Sequence, residues 1–262
     1  MMKLLVSFML LLVVTACSNR NDNLIWSDEF DGSGAPDSTW WSFDLGDSGW
    51  GNNEIQNYTS DLKNARRENG VLIIEAIKEN GKWTSARLLS KGKYNFTHGK
   101  IVYRAKLPAG SGTWPALWLL GESADTIGWP DCGEIDVMEH IGKRPGIVQC
   151  ALHSRHSFGD TDYVGYIEVP DFDSEFHTYE ANRTDKKIEF SVDGKLYYTY
   201  EPDVRNEETW PFDDPFFIIM NIAMGGNLGS DPNLESDGLK NGIDPNLQKV
   251  RMEVDYVRVY SN

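Results

Sequence analysis

The stretch Gly133-Glu134-Ile135-Asp136-Val137-Met138-Glu139-His140-Ile141-Gly142 carries three carboxylates within six residues, interleaved with β-branched and apolar side chains. Ile and Val favour a pleated strand, and a strand sends residues i and i+2 to the same face. Glu134 and Asp136 therefore share a face. Strict alternation would send Glu139 to the opposite face and put Met138 in its place. One extra residue in the strand, a β-bulge, returns Glu139 to the acidic face, and bulges are enriched beside active sites. The stretch predicts a strand with a bulge between Asp136 and Glu139.

With that bulge, the Glu134 and Glu139 backbones lie about 13 Å apart at ~3.3 Å per strand step. Two Glu side chains leaning together leave a gap compatible with the roughly 5–5.5 Å of a retaining glycosidase, and less so with the wider inverting gap of about 6.5–9.5 Å. Asp136, between them, keeps their proton assignments apart because like charges raise one another's pKa. Alternating acids on a strand also describe a solvated face, and a carboxylate cluster also describes a calcium site. The glycine at each end, the inward Ile135 and Val137, and a Trp-rich approach favour catalysis over both.

The chain has 262 residues, with 40 acidic and 25 basic side chains and a formal charge of −15. That length suits one large all-β domain over residues 24–262. The charge argues against nucleic acid and anionic membrane surfaces as partners and fits a neutral polymer better than a polyanion. Residues 1–16 read as a signal peptide, with Lys3, the apolar run from Leu4 to Val14 and then small residues. It is too short for a membrane-spanning helix. Val14-Thr15-Ala16-Cys17 is similar to a bacterial lipobox, which predicts lipidation of Cys17, a short tether over 17–23 and an exported, membrane-anchored lipoprotein, with simple secretion as the alternative.

Strand signals dominate the remainder of the chain. Val71–Ile77, Lys100–Leu107, Ile147–His153, Tyr163–Val169, Phe176–Asn182, Lys187–Val192, Phe216–Ala223 and Arg251–Tyr260 are short and rich in β-branched or aromatic residues. Asp193-Gly194 supplies a type I′ hairpin turn into Leu196–Tyr200. No segment holds apolar residues at helical spacing over three turns. These features predict two antiparallel sheets packed as a sandwich or jelly roll, with long loops over residues 225–249 at one rim. A hairpin turning at Lys143-Arg144-Pro145-Gly146 places Cys150 opposite roughly Met138, away from Cys132. Two unpaired, buried thiols are expected.

Trp114 and Trp118, in Gly112-Thr113-Trp114-Pro115-Ala116-Leu117-Trp118, offer flat faces and an N–H edge suited to a sugar ring, as does Trp129. Plain core packing is the other reading of each. Trp50-Gly51-Asn52-Asn53-Glu54-Ile55-Gln56-Asn57-Tyr58 gathers amides, an acid and aromatics. Together with Glu-x-Asp-x-x-Glu at 134–139, this segment resembles the laminarinase-like β-1,3-glucanases of glycoside hydrolase family 16. Thr84-Ser85-Ala86-Arg87-Leu88, Phe176-His177-Thr178-Tyr179, Gly225-Gly226-Asn227 and the terminal Val254–Tyr260 resemble the same family, so the likeness runs from Trp26 to the end. Two departures stand out: Arg183 and Leu228 occupy positions where the family often carries Trp. The Leu228 departure bears on chain-length and branching preference.

The resemblance implies a concanavalin-like β-jelly roll and retaining endo-hydrolysis of β-1,3-glucan. It implies Glu134 as nucleophile, Glu139 as acid/base and Asp136 assisting the nucleophile. Asn53, Arg87, Trp114, Trp118 and His153 would line the sugar subsites. No cofactor is implied for catalysis, and a structural calcium is implied at Glu29, the Gly70 carbonyl and Asp255. A monomer is expected, with β-glucan as its partner. The alternatives are an enzyme of similar type on mixed-linkage glucan or red-algal galactan, and a sugar-binding module without catalysis.

Overall fold

The computed structural model describes residues 23–234 and 242–262. The signal peptide, Cys17 and most of the tether lie outside the described residues, as does part of the 225–249 segment. Two β-sheets face each other across a single large core. The first runs, edge to edge, through Lys195–Tyr200, Ile188–Val192, His177–Arg183, Gly99–Lys106, Lys249–Tyr260, Val71–Glu79, Lys82–Ser85 and Asn57–Tyr58. Leu24–Asp28 pairs with Lys249–Tyr260, and Ala65–Glu68 with Val71–Glu79. The second runs through Val164–Glu168, Ile147–His153, Glu134–His140, Thr113–Gly121, Phe216–Met224, Arg87–Leu89 and Ser42–Asp44. Helix is confined, among the described residues, to single turns at Ala124–Ile127 and Gly226–Gly229. The expected jelly roll is present, with one qualification: Asn57–Tyr58 pairs parallel to Lys82–Ser85 at a sheet edge.

Local sequence explains the hairpins. Asp193 and Gly194 have φ of 50° and 72°, so both central residues sit in the left-handed region that a type I′ turn demands. Asn69-Gly70 and Asn80-Gly81 do the same, closing the hairpins on either side of Val71–Glu79. Each pair combines a residue tolerant of positive φ with one that has no Cβ.

The central strand of the second sheet carries the expected bulge. Against Ile147–His153, Asp136 stands opposite Ala151 and Glu139 opposite Gln149, so three steps on one strand meet two on the other. The other neighbour shows the same slip, with Met138 opposite Leu117 and Asp136 opposite Trp118. Ile135, Val137 and Met138 all belong to the core. Two successive side chains therefore point inward, and Glu139 returns to the outer face. Cys132 and Cys150 are both free and buried, Cys150 across from the bulge, as the hairpin register predicts.

The tryptophans divide between the core and the surface. Trp26, Trp41, Trp83, Trp114 and Trp210 are buried, which leaves a minority for the surface. Trp26 stacks on Tyr94 with ring centroids 4.4 Å apart. Arg183 fills the interior where the family resemblance leads to an indole. Its guanidinium lies 4.6 Å from the Phe216 ring and donates to the backbone carbonyls of Phe96 and Asp214. Burial pushes its pKa down to about 9, which a planar, weakly hydrated guanidinium stacked on aromatic rings tolerates better than an ammonium.

Candidate active site

Glu134, Asp136 and Glu139 project from the outer face of the second sheet, midway across it. Asp136 and Glu139 are buried to within 5% exposure, and Glu134 is slightly more open. Each carboxylate has different company. Glu139 accepts a hydrogen bond on Oε1 from Trp114 Nε1 at 2.7 Å and on Oε2 from Gln149 Nε2 at 2.9 Å. Arg144 donates to Gln149 Oε1 at 2.8 Å, which fixes the amide with its NH₂ toward Glu139. His153 Nε2 lies 3.1 Å from Asp136 Oδ2 and 3.6 Å from Glu134 Oε1. Ala151, opposite Asp136, is small enough to leave space between the flanking Gln149 and His153.

Three crowded acids resist carrying three charges. Burial, and then the Asp136 charge, push the Glu134 pKa up to about 8. Burial and the Glu139 charge hold Asp136 well above the usual carboxylate range. Asp136 sits between the other two, so a proton there relieves both repulsions at once. Glu134 then loses its nearest like charge and ionises more readily. The cluster is a set of acids sharing protons, which suits proton transfer and attack from one face. Glu134, Asp136 and His153 also bring one ligand atom each within 4.8 Å of one another, a geometry that by itself would also accept a metal ion.

On the other side of the carboxylates the sheet presents Arg87. Its guanidinium pairs with Asp44 at 3.0 Å and lies between two indoles, 4.9 Å from Trp50 and 4.7 Å from Trp118. Trp118 donates to Asn221 Oδ1, Asn221 donates to Tyr58 OH, and Tyr58 donates to Glu54 Oε2, which also takes Gln56 Nε2 at 2.6 Å. This chain of bonds docks the 50–58 loop onto Phe216–Met224. Gly226 completes the dock: a Cβ there would meet the Asn52 carbonyl at 2.8 Å, and its φ is +72°.

The structure thus gathers most of the residues singled out in the sequence and changes what some of them do. The indole N–H groups of Trp114 and Trp118 face Glu139 and Asn221 rather than open solvent, correcting their reading as free donors to sugar hydroxyls. Trp114 is only 9% exposed and holds a carboxylate in place. Asn53 donates to Asn227 Oδ1 at 2.8 Å and ties two rim loops together. His153 contacts the acids themselves. Gln149, Arg144 and Asn221 escaped the sequence reading. Asn221 had a signal, being the one polar residue inside Phe216–Met224. Gln149 had a weaker one, lying four residues from His153 and so on the same strand face.

Glu29, Gly70 and Asp255 fall at one end of the first sheet by strand register, since Asp28 pairs with Val257 and Leu72 with Val254. Both carboxylates there already face guanidinium groups. Arg258 grips Glu29 through two nitrogens at 3.0 and 2.8 Å, and Arg104 pairs with Asp255.

Residues 51–258 match the family described as Glycosyl hydrolases family 16. The chain belongs to that family. A curated relative, the beta-glucanase of Rhodothermus marinus, is 44% identical over 278 residues, spanning 96% of this chain and 92% of the relative. A glucan endo-1,3-beta-glucosidase of Cryptopygus antarcticus is 37% identical over 277 residues, spanning 97% and 98%. Among solved structures, the laminarinase of Flavobacterium sp. UMI-01 superposes with a TM-score of 0.84 at 40% identity, covering 91% of this chain and all of the other. The carboxylate cluster is therefore read as that of a glycoside hydrolase.

The raised Glu134 pKa has a consequence for stability. An unfolded Glu titrates near the ordinary value of 4.5, so between about 4.5 and 8 the folded pair of Glu134 and Asp136 shares a proton that the unfolded chain releases. That contribution is complete below the unfolded pKa and is lost as pH rises through the folded one. Glu134→Gln removes the charge and keeps the shape. Thermal melts should show the variant more stable than the parent at pH 8, with the gap closing toward pH 5. A gap that is constant or widest at low pH contradicts this electrostatic reading.

Proposed function

We propose that the protein cleaves β-1,3-glucan internally by double displacement. The observation that carries this is the bulge, which aligns three acids on one face and surrounds each with different partners, in a chain belonging to family 16. The Glu134 carboxylate attacks the anomeric carbon while Glu139 hands its proton to the departing glycosidic oxygen. Glu139 then takes a proton from water, whose oxygen attacks the same carbon and releases Glu134. Two inversions leave the configuration retained. Asp136, holding a proton beside Glu134, hydrogen-bonds the nucleophile without adding a second negative charge to it. No step calls for a cofactor.

The fixed donors on Glu139 set its carboxylate in one orientation, supporting its assignment as the acid and base. Arg87, Trp118, Asn53 and His153 are read as lining the sugar subsites, with Arg87 and Trp118 forming one stacked wall. A mixed-linkage glucan fits the same chemistry, and product analysis on purified glucans separates the two. Sulfated galactans fit a chain of net charge −15 poorly. A binding module without catalysis has no use for a crowded acidic triad that burial makes costly.

The enzyme is further read as a lipoprotein anchored at Cys17, cutting polymer close to the cell. The calcium reading concerns the end of the sheet away from this cleft, where Glu29 and Asp255 would have to release Arg258 and Arg104 to ligate an ion. As arranged, those residues do not fit calcium, because the guanidiniums already supply the balancing charge.

Glu134→Gln should lose kcat by several orders of magnitude and retain glucan binding. Turnover within about tenfold of the parent contradicts the nucleophile assignment. Glu139→Ala should recover turnover with azide and yield a glycosyl azide; absence of both removes Glu139 as acid/base. Cys17→Ser should move the expressed protein from the detergent phase to the aqueous phase, whereas a parent found wholly in the soluble secreted fraction contradicts the anchor. Chelator and added calcium should leave the melting temperature unchanged, and a fall with chelator would show that an ion displaces the arginines.

A further inference from the structure

Glu139 engages both of its oxygens with fixed donors, Trp114 and Gln149. The other two acids are differently placed. Glu134 and Asp136 stand two residues apart on one strand face, and His153 is opposite Glu134 on the neighbouring strand. His153 Nε2 lies 3.1 Å from Asp136 Oδ2 and 3.6 Å from Glu134 Oε1. One ligand atom from each of the three falls within 4.8 Å of the others. Asp136 is only 4% exposed, yet its Oδ2 accepts no hydrogen bond among the described residues. The imidazole beside it is therefore not aimed at it as a donor. A buried carboxylate oxygen without a partner is costly, and here it stands beside a ring nitrogen and a second carboxylate. That combination is a set of cation ligands.

The spacing and the donor types select the ion. Tetrahedral Zn²⁺ holds nitrogen and oxygen ligands at about 2.0–2.2 Å, which sets neighbouring donors about 3.3–3.6 Å apart. The two separations from His153 Nε2 lie within a few tenths of an ångström of that range. Ca²⁺ takes about six to eight oxygens, and Mg²⁺ an octahedron of oxygens and waters. An imidazole with two carboxylates suits neither, and it suits zinc. Both strands lie inside the sheet, so the donors sit on a rigid support. Glu134, the most open of the three, gives the ion its way in and leaves a fourth position to water. His153 Nδ1 has no hydrogen-bond partner among the described residues. Metal-binding histidines ordinarily donate from that second nitrogen, and losing the partner weakens a site by about 10- to 100-fold. The site therefore suits a reversible occupant and not a resident one.

We propose that Glu134, Asp136 and His153 form a zinc-binding site through which Zn²⁺ reversibly switches the enzyme off. The bound ion takes the lone pairs of the nucleophile and of the acid beside it, so zinc and glucan exclude each other. Its double positive charge also relieves the crowding of two buried carboxylates. The inhibition rests on the glucanase reading; the binding stands without it.

Equilibrium dialysis of the untagged protein against ZnCl₂, with the metal counted by elemental analysis, should find one ion per chain. Glu134→Gln and His153→Gln should each bind it about 10-fold or more weakly, since losing a ligand costs no less than losing an outer partner. Co²⁺ in the same site should give the visible absorption of tetrahedral nitrogen and oxygen coordination. His177 stands between Asp171 and Asp193 in a separate cluster, and His177→Gln should bind zinc as the parent does. Zn²⁺ should inhibit laminari-oligosaccharide cleavage competitively, with recovery on chelation, whereas Ca²⁺ and Mg²⁺ at the same concentration should not inhibit. No bound zinc, zinc held equally by every variant, or loss in His177→Gln alone overturns the site. Inhibition that rising substrate does not relieve overturns the switch. If His153→Gln fails to fold, Glu134→Gln decides the matter. A parent that cuts no laminari-oligosaccharide overturns the glucanase reading, and the dialysis and Co²⁺ measurements then decide the site by themselves.

Discussion

The single inserted residue between Asp136 and Glu139 is the constraint on which the site depends. A regular strand shows alternate side chains to one face, and three acids spaced 134, 136 and 139 cannot all share it. Pointing Val137 and Met138 inward together resolves the conflict. The core gains two apolar side chains in succession, and the outer face gains its third carboxylate. Burial and catalysis are satisfied by the same backbone irregularity. That arrangement needs neighbours able to accept the slip, and both flanking strands register it.

Aligning the acids creates an electrostatic problem that the surroundings manage unequally. Glu139 receives two fixed donors, Trp114 and Gln149, and the second is itself held by Arg144. Asp136 receives burial and the Glu139 charge, which favour its neutral form. Glu134 stands nearest to solvent of the three. Unlike environments for like groups are what allow one acid to attack while another carries a proton. The aromatic and amide network from Arg87 through Trp118, Asn221 and Tyr58 to Glu54 has a different task, holding the rim loop in place over the sheet.

Much of this was legible in the sequence for local reasons. The bulge followed from a clash between spacing and period, and the Asp193-Gly194 hairpin from the φ values that its two residues tolerate. The free cysteines followed from hairpin register. What escaped depends on partners distant in the chain. An indole N–H looks the same in sequence whether it serves a sugar or a carboxylate, so the true partner of Trp114 was hidden. Gln149 gains meaning only when it stands opposite Glu139, and Asn221 only when Trp118 and Tyr58 converge on it. Arg183, polar in sequence, is among the most deeply buried side chains because two phenyl rings and two backbone carbonyls receive it. Glu29 and Asp255 each pair with an arginine, a partner that the sequence does not reveal.

The central claim is that the first acid of the bulged strand forms a bond to the sugar. A 2-fluoro laminaribioside with a good leaving group slows the second displacement more than the first and lets the covalent species accumulate. Intact-mass measurement followed by peptide mapping locates the added glycosyl group. The expected result is one glycosyl unit per chain, on the peptide containing Glu134 and on that side chain, lost on addition of an acceptor sugar. A stable adduct on Glu139 or Asp136, or turnover of the reagent with no adduct at any stage, would contradict it.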